Sequence, residues 1–185
     1  MKYQLENLNA YRIYEKRDGP LAILTGTSVE EVIRAGYVDY DADLIKKLYS
    51  YRKMFEKLMY QLFKQNGGHP TVEHPYYFVV FDELPYVPDI YQKYKVAECL
   101  KVPMSMFPKD LVSFTYGYSY NALVRKDGHP AQRKLLGWED AEKVINEFPY
   151  DKNEHIWLEM HVWDDAIMRE LYNNGDSEYI LHKVY

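Results

Sequence analysis

The sequence predicts one α+β domain: a mixed, largely antiparallel sheet packed against one long amphipathic helix at about residues 43–66, with shorter helices around it. Three observations predict this fold. Tyr76–Phe81 is a six-residue apolar run of β-branched and aromatic residues, closed by His74-Pro75 before and Pro85 after. A run of that length and make-up reads as a strand buried on both faces. Leu44, Leu48, Tyr51, Phe55, Leu58 and Leu62 recur at spacings of 4, 3, 4, 3 and 4, with Ile45, Met59 and Phe63 beside them. That period marks a helix with one core-facing side. Residues 155–163 alternate strictly, with Ile156, Leu158, Met160 and Val162 on one side of the period and His155, Trp157, Glu159, His161 and Trp163 on the other. That alternation marks a strand with two different faces.

The remaining elements follow in order. Residues 10–14 alternate and favour a strand, turned by Asp18-Gly19-Pro20 into a short apolar piece at 21–24. Ser28 and Glu31 have capping-box spacing, so a helix starts there and runs to Ala35, with Gly36 as its stop. Asp41 or Asp43 caps the long helix, and Asn66-Gly67-Gly68 ends it. Residues 89–95 have room for a helical turn between prolines. A half-buried strand is expected over 96–102 and another over 111–116. Residues 120–125 and 132–136 flank Asp127-Gly128, a hairpin signal. Residues 138–148 read as a helix with Ala141, Val144, Ile145 and Phe148 inward. Asp165 is placed to cap a helix through Tyr172, stopped by Gly175, and residues 179–184 to form a last strand. No repeat, low-complexity tract or linker divides the 185 residues.

Composition narrows the function classes. The net charge of −5 gives no general attraction to nucleic acid or anionic membrane. No apolar stretch approaches the roughly 20 residues of a membrane helix. Cys99 is the one cysteine, so no intrachain disulfide forms, and a reducing, cytoplasmic setting is expected. The first residues lack an apolar core of signal-peptide length. Tyrosine is abundant, at 20 residues, and suits half-buried binding surfaces; coding bias accounts for it equally well.

Two surfaces stand out. The first is the helix flank carrying Lys46, Lys53, Lys57 and Lys64, within a segment (44–66) that has six basic residues against one acidic. Such a stripe is either a solvated face or a docking surface for an acidic macromolecule, protein rather than nucleic acid. Residues 138–178 are the counterpart, with twelve acidic residues against three basic. The second is the polar side of the strand over 155–163, where His155, Glu159 and His161 share a face. It reads as a solvated outer face or as a site for acid–base work. A strand alone rarely supplies the closed ligand set of a metal, so no metal is expected. His69, His74 and His129 each precede proline and read as loop punctuation. Gly117-Tyr118-Ser119-Tyr120-Asn121 lacks the second glycine of a hydrolase elbow.

Arg12 on the first strand, Ser113-Phe114-Thr115 on a middle strand and Glu159 on a late strand occur in an order that resembles the ADP-ribosyltransferases of the Arg/Ser-Thr-Ser/Glu type. Tyr116 stands where that motif has its last serine. The resemblance implies NAD as cofactor, Arg12 and Ser113 as its support, and Glu159, with His161 beside it, as the group promoting transfer. The residues alone favour a different reading. They point to a non-enzymatic binding or regulatory protein, similar to small acidic inhibitors of bacterial or phage type, with no cofactor.

Overall fold

The computed structural model describes residues 3–15, 28–35, 41–81, 97–124, 126, 128–148, 158–173 and 180–181. Among the described residues six strands form one sheet: β1 (Asn9–Glu15), β2 (Tyr76–Phe81), β3 (Ala97–Pro103), β4 (Val112–Tyr116), β5 (Leu158–Val162) and β6 (Ile180–Leu181). Their order across the sheet is β4-β5-β2-β1-β3-β6, and each ladder between them is antiparallel. The helices are α1 (Val29–Ala35), α2 (Ala42–Gln65), α3 (Ser119–Val124), α4 (Trp138–Glu147) and α5 (Asp165–Asn173). The α+β architecture with a long helix is therefore the one expected from the sequence.

Register assigns the two faces. Ala10 opposes Val80 and Val102, while Phe78 and Phe114 both oppose Met160. Opposed residues share a face, so the described even-numbered side chains of the five longer strands point one way. They form the main core with Leu5, Met104 and Phe107 and with Trp138, Ala141, Val144 and Ile145 of α4 and Met168 and Leu171 of α5. The odd-numbered side lies beneath α2 and α3, where Trp163 packs with Met59, Phe63, Leu123 and Leu135. Helices thus cover both faces of the sheet.

The capping predictions can be compared directly. Ser28 Oγ accepts from the Glu31 amide at 3.2 Å and the Glu31 carboxylate accepts from the Ser28 amide at 3.0 Å, the reciprocal box its spacing implies. Asp41 Oδ1 accepts from the amides of Asp43 and Leu44, both at 2.9 Å. At the other end Gly67 has φ +86°, the Gly68 amide donates to the Phe63 carbonyl and the Gly67 amide to that of Lys64. This is the Schellman arrangement that stops a helix at a glycine. The cap of α5 is Asp164, whose Oδ1 accepts from the Ile167 amide at 2.8 Å, so Asp165 is instead the first helical residue.

Three expectations change. The buried face of α2 is Ile45, Tyr49, Glu56, Met59 and Phe63, with Arg52 half-buried among them, and not the Leu44–Leu48–Tyr51–Leu58 stripe. Residues 120–124 do not form a hairpin arm: Ser119–Val124 is helical, and Leu136 bridges to Phe114 of β4. The polar face of β5 is not solvated but lies under α2 and α3. The expected turn at 16–20, apolar piece at 21–24, stop at Gly36, helical turn at 89–95, residues 155–157, stop at Gly175 and most of the strand over 179–184 lie outside the described residues.

Candidate functional site

The polar side chains of β4 and β5 meet on the covered face. Thr115 and Ser113 of β4 stand opposite Glu159 and His161 of β5. From the other side β2 sets Tyr77 opposite His161, with the tyrosine ring edge-on to the imidazole at 5.3 Å. Alternation alone fixes this grouping, because residues two apart on neighbouring strands share a face. Ser119 enters from the first turn of α3, where Gly117, at φ +83°, turns the chain from β4 into the helix.

A continuous hydrogen-bond chain results. Trp163 Nε1 donates to Ser113 Oγ at 2.8 Å, and Ser113 Oγ lies 3.2 Å from His161 Nδ1. His161 Nε2 lies 2.9 Å from Ser119 Oγ and 3.4 Å from Glu159 Oε1. Ser119 donates to Glu159 twice, through its hydroxyl and through its amide at 3.0 Å. Burial alone would raise the Glu159 carboxyl. The hydrogen bond and charge of His161, with the two donors of Ser119, outweigh it and hold the carboxyl below the ordinary glutamate range. Every polar group in the chain has a partner: Ser113 lies between Trp163 and His161, and Ser119 between His161 and Glu159.

A second polar centre comes down from α2. Glu56 is 0% exposed, and its Oε1 accepts from Tyr77 Oη at 2.9 Å and from Arg52 Nε at 3.1 Å. Its Oε2 lies 2.7 Å from His74 Nδ1. The Arg52 guanidinium sits over the Tyr77 ring, 4.4 Å from the centroid. Burial, and after it the charges of Glu56 and Glu159, push the Tyr77 hydroxyl well above its ordinary range despite Arg52. Tyr77 therefore joins the two centres: its hydroxyl binds Glu56 and its ring edge meets His161.

Of the four catalytic candidates, the structure brings Ser113, Glu159 and His161 together. Arg12 does not join them. It opposes Leu100 in the ladder of β1 with β3, which puts it on the main-core face, and its guanidinium lies over the Tyr76 ring. The β1–β2 ladder is paired at Tyr11 and Val79, and beyond it Arg12 Nη1 donates to the Tyr77 carbonyl at 3.0 Å. Burial, with Arg52 nearby, lowers this guanidinium to about 10. The grouping of Arg12 with Glu159 is thus corrected by strand register: an even and an odd position project to opposite sides. Ser119, Glu56, Arg52, Tyr77 and His74 complete the cluster. The signal for Glu56 was its place at i+4 from Arg52 on the stripe adjacent to the most apolar one.

Chemically, the cluster places a hydroxyl between a carboxylate and an imidazole, the ingredients of proton transfer. Ser119, His161 and Glu159 are all buried and bonded to one another, so this network ties α3 to the sheet, as the bond of Glu56 with Tyr77 ties α2. Among the described residues no group of three or more His, Cys, Asp or Glu side chains is placed to hold a metal ion. Cys99 lies buried in β3, and burial pushes its thiol up to about 12, away from nucleophilic use. Lys46, Lys53, Lys57 and Lys64 are all exposed along one flank of α2. Among the described residues, no helix is long and apolar enough to cross a membrane. No protein-family model, curated protein or solved structure matches the chain.

Proposed function

We propose that this is a non-enzymatic binding or regulatory protein, inhibitor-like in the manner of small acidic bacterial and phage proteins, that engages another macromolecule through the outer surface of α2. The observation that supports the reading is the lysine flank. Lys46, Lys53, Lys57 and Lys64 are exposed and share one side of a helix about 36 Å long. Lys53 lies over Tyr49 at 4.9 Å and Lys64 over Tyr60 at 5.5 Å, so aromatic rings support two members of the row. A row of ammonium groups on a rigid helix complements an acidic protein surface and steers its approach. The self-satisfied interior of the polar cluster supports the same reading, because it leaves recognition to the outside.

The test is charge reversal. K53E/K57E changes exposed positions, so folding stability stays within about 0.5 kcal/mol of wild type. A partner captured from source cells by the tagged wild type should be lost by the variant, and recovery from the wild type should fall steeply with added salt. Equal recovery by both proteins would remove the lysine flank from the binding surface.

A further inference from the structure

Beside its lysine flank, α2 also turns apolar side chains to solvent. Leu48 is 47% exposed and Met54 56%, with Leu44, Tyr51 and Leu58 exposed along the same helix. Tyr120 and Val124 of α3 continue the patch sideways, and Tyr120 packs edge-on against Phe55 at 5.0 Å, which joins the two helices into one surface. Among the described residues ten large apolar side chains are exposed, and eight of them lie on α2 or between Tyr118 and Val124. Apolar exposure gathered on one side in this way marks an interaction site, whereas scattered single residues would not.

The rim of the patch is basic. On a helix, positions three and four apart are neighbours. Lys47 therefore borders Leu44 and Tyr51, and Lys57 borders Met54. On the α3 side the Arg133 amide donates to the Ala122 carbonyl at 2.6 Å, which sets Arg133 next to that helix; Arg133 and Lys134 are both exposed. No charged residue lies within α3 itself. Of the two acids of α2, Glu56 is buried against the sheet and Asp43 faces Lys46 at 3.9 Å. The charge that reaches solvent around the apolar side chains is thus predominantly positive.

Charge and side-chain type together select the occupant. A basic rim favours a partner that carries carboxylates, and it disfavours a second copy of this chain, whose equivalent face would set basic rim against basic rim. Leucine, methionine and valine side chains offer no ring on which a base can stack, so a polypeptide complements the patch better than a nucleic acid strand. The chain as a whole stands at −5, which opposes close approach to an anionic lipid surface.

We propose that this face of α2 and α3 seats an acidic polypeptide segment of another protein, whose apolar side chains rest on Leu48, Met54 and Leu58 while its carboxylates meet the basic rim. This seat rests on the reading of α2 as a binding helix and deepens it: the lysines attract the partner and the apolar side chains hold it.

A photoreactive benzophenone side chain in place of Met54 in the full chain, photolysed in source cells, tests what lies on the patch. The same group in place of Glu139, exposed on α4 across the sheet, is the control. Mass spectrometry of the Met54 adduct should give a segment of another protein that is net acidic and carries apolar residues, and the Glu139 position should not give it. A synthetic copy of that segment should bind the wild-type chain. L48Q/L58Q, at exposed positions, should weaken that binding about tenfold or more with an unchanged circular-dichroism spectrum. No adduct at Met54, or an adduct with lipid, nucleic acid, a second copy of this chain or another segment of it, would overturn the seat. So would a segment that is neutral or basic, or one that L48Q/L58Q binds as tightly as wild type. K53E/K57E separates the seat from the lysine reading. If K53E/K57E loses the segment while L48Q/L58Q keeps it, the seat fails and the lysine flank stands; if both variants keep it, both fail.

Discussion

Tyr77 of β2 donates its hydroxyl to Glu56 of α2 at 2.9 Å, across the interface between the sheet and the long helix. That bond ends on a carboxylate that water does not reach, while Arg52 and His74, which share it, keep partial access to solvent. Removing the acceptor should cost more than removing one donor. E56A leaves the Tyr77 hydroxyl without its acceptor and takes the common partner from the half-exposed Arg52 and His74, and should lose about 3 kcal/mol, the upper range for an unsatisfied buried donor. Y77F should lose about 1–2 kcal/mol. Urea unfolding of both variants checks the order; a Y77F loss equal to that of E56A would show that Glu56 does not anchor the group.

The carboxyl of Glu159 sits below the ordinary glutamate range in the folded chain, held there against burial by His161 and Ser119. A depressed carboxylate contributes stability that is fully present above its unfolded value, near 4.5, and is lost as pH falls through the folded value. The urea midpoint of wild type should therefore drop more steeply below about pH 4.5 than that of E159Q. Parallel profiles would mean that Glu159 gains nothing from its partners. E159Q should also be less stable at pH 7, because an amide replaces a carboxylate that accepts two Ser119 donors.

Asp41 should behave as an ordinary N-cap. Its carboxylate accepts from two free amides at the start of α2, and D41A should cost about 1 kcal/mol. Asp43, exposed in the first turn, should be replaceable by Ala at under about 0.5 kcal/mol. Thermal melts of the two variants separate the cap from its neighbour; equal losses would place the cap elsewhere.

Much of the fold was legible because it depends on period. The α2 boundaries, the capping box at Ser28 and the inward set of α4 come from local rules that tertiary structure left intact. The face of α2 was misread for a physical reason. Two stripes one residue apart share the 4-3-4-3-4 spacing, and the more apolar of them faces outward. The inward stripe carries Arg52 and Glu56, which look like surface residues until Tyr77 and His74 supply the partners. Those partners are 18 and 21 residues distant from Glu56 in sequence, and no local pattern joins them. The common face of Glu159 and His161 was visible in parity, and Ser113 joins it through cross-strand register. Arg12 shows the limit: order along the chain was right for the resemblance, but its register sends it to the other side of the sheet.

Gly68 tests the end of α2. A Cβ built there would overlap the ring of Phe63, which stacks on Trp163 at 5.3 Å. G68A should force that ring aside, cost about 1–3 kcal/mol and change the tryptophan emission. Emission and stability like those of wild type would show that the ring has room to move.

The strand order has a temporal consequence. β5 lies between β4 and β2, yet it follows both in the chain. As the polypeptide leaves the ribosome, β2 and β4 emerge with their shared neighbour still unmade, and each waits with an open edge. β4 joins the rest of the sheet only when residues 158–162 arrive, and they bring Glu159 and His161 with them. Strand β5 is thus both the join between β4 and the rest of the sheet and the carrier of the polar centre, so making that join and assembling that centre are one event.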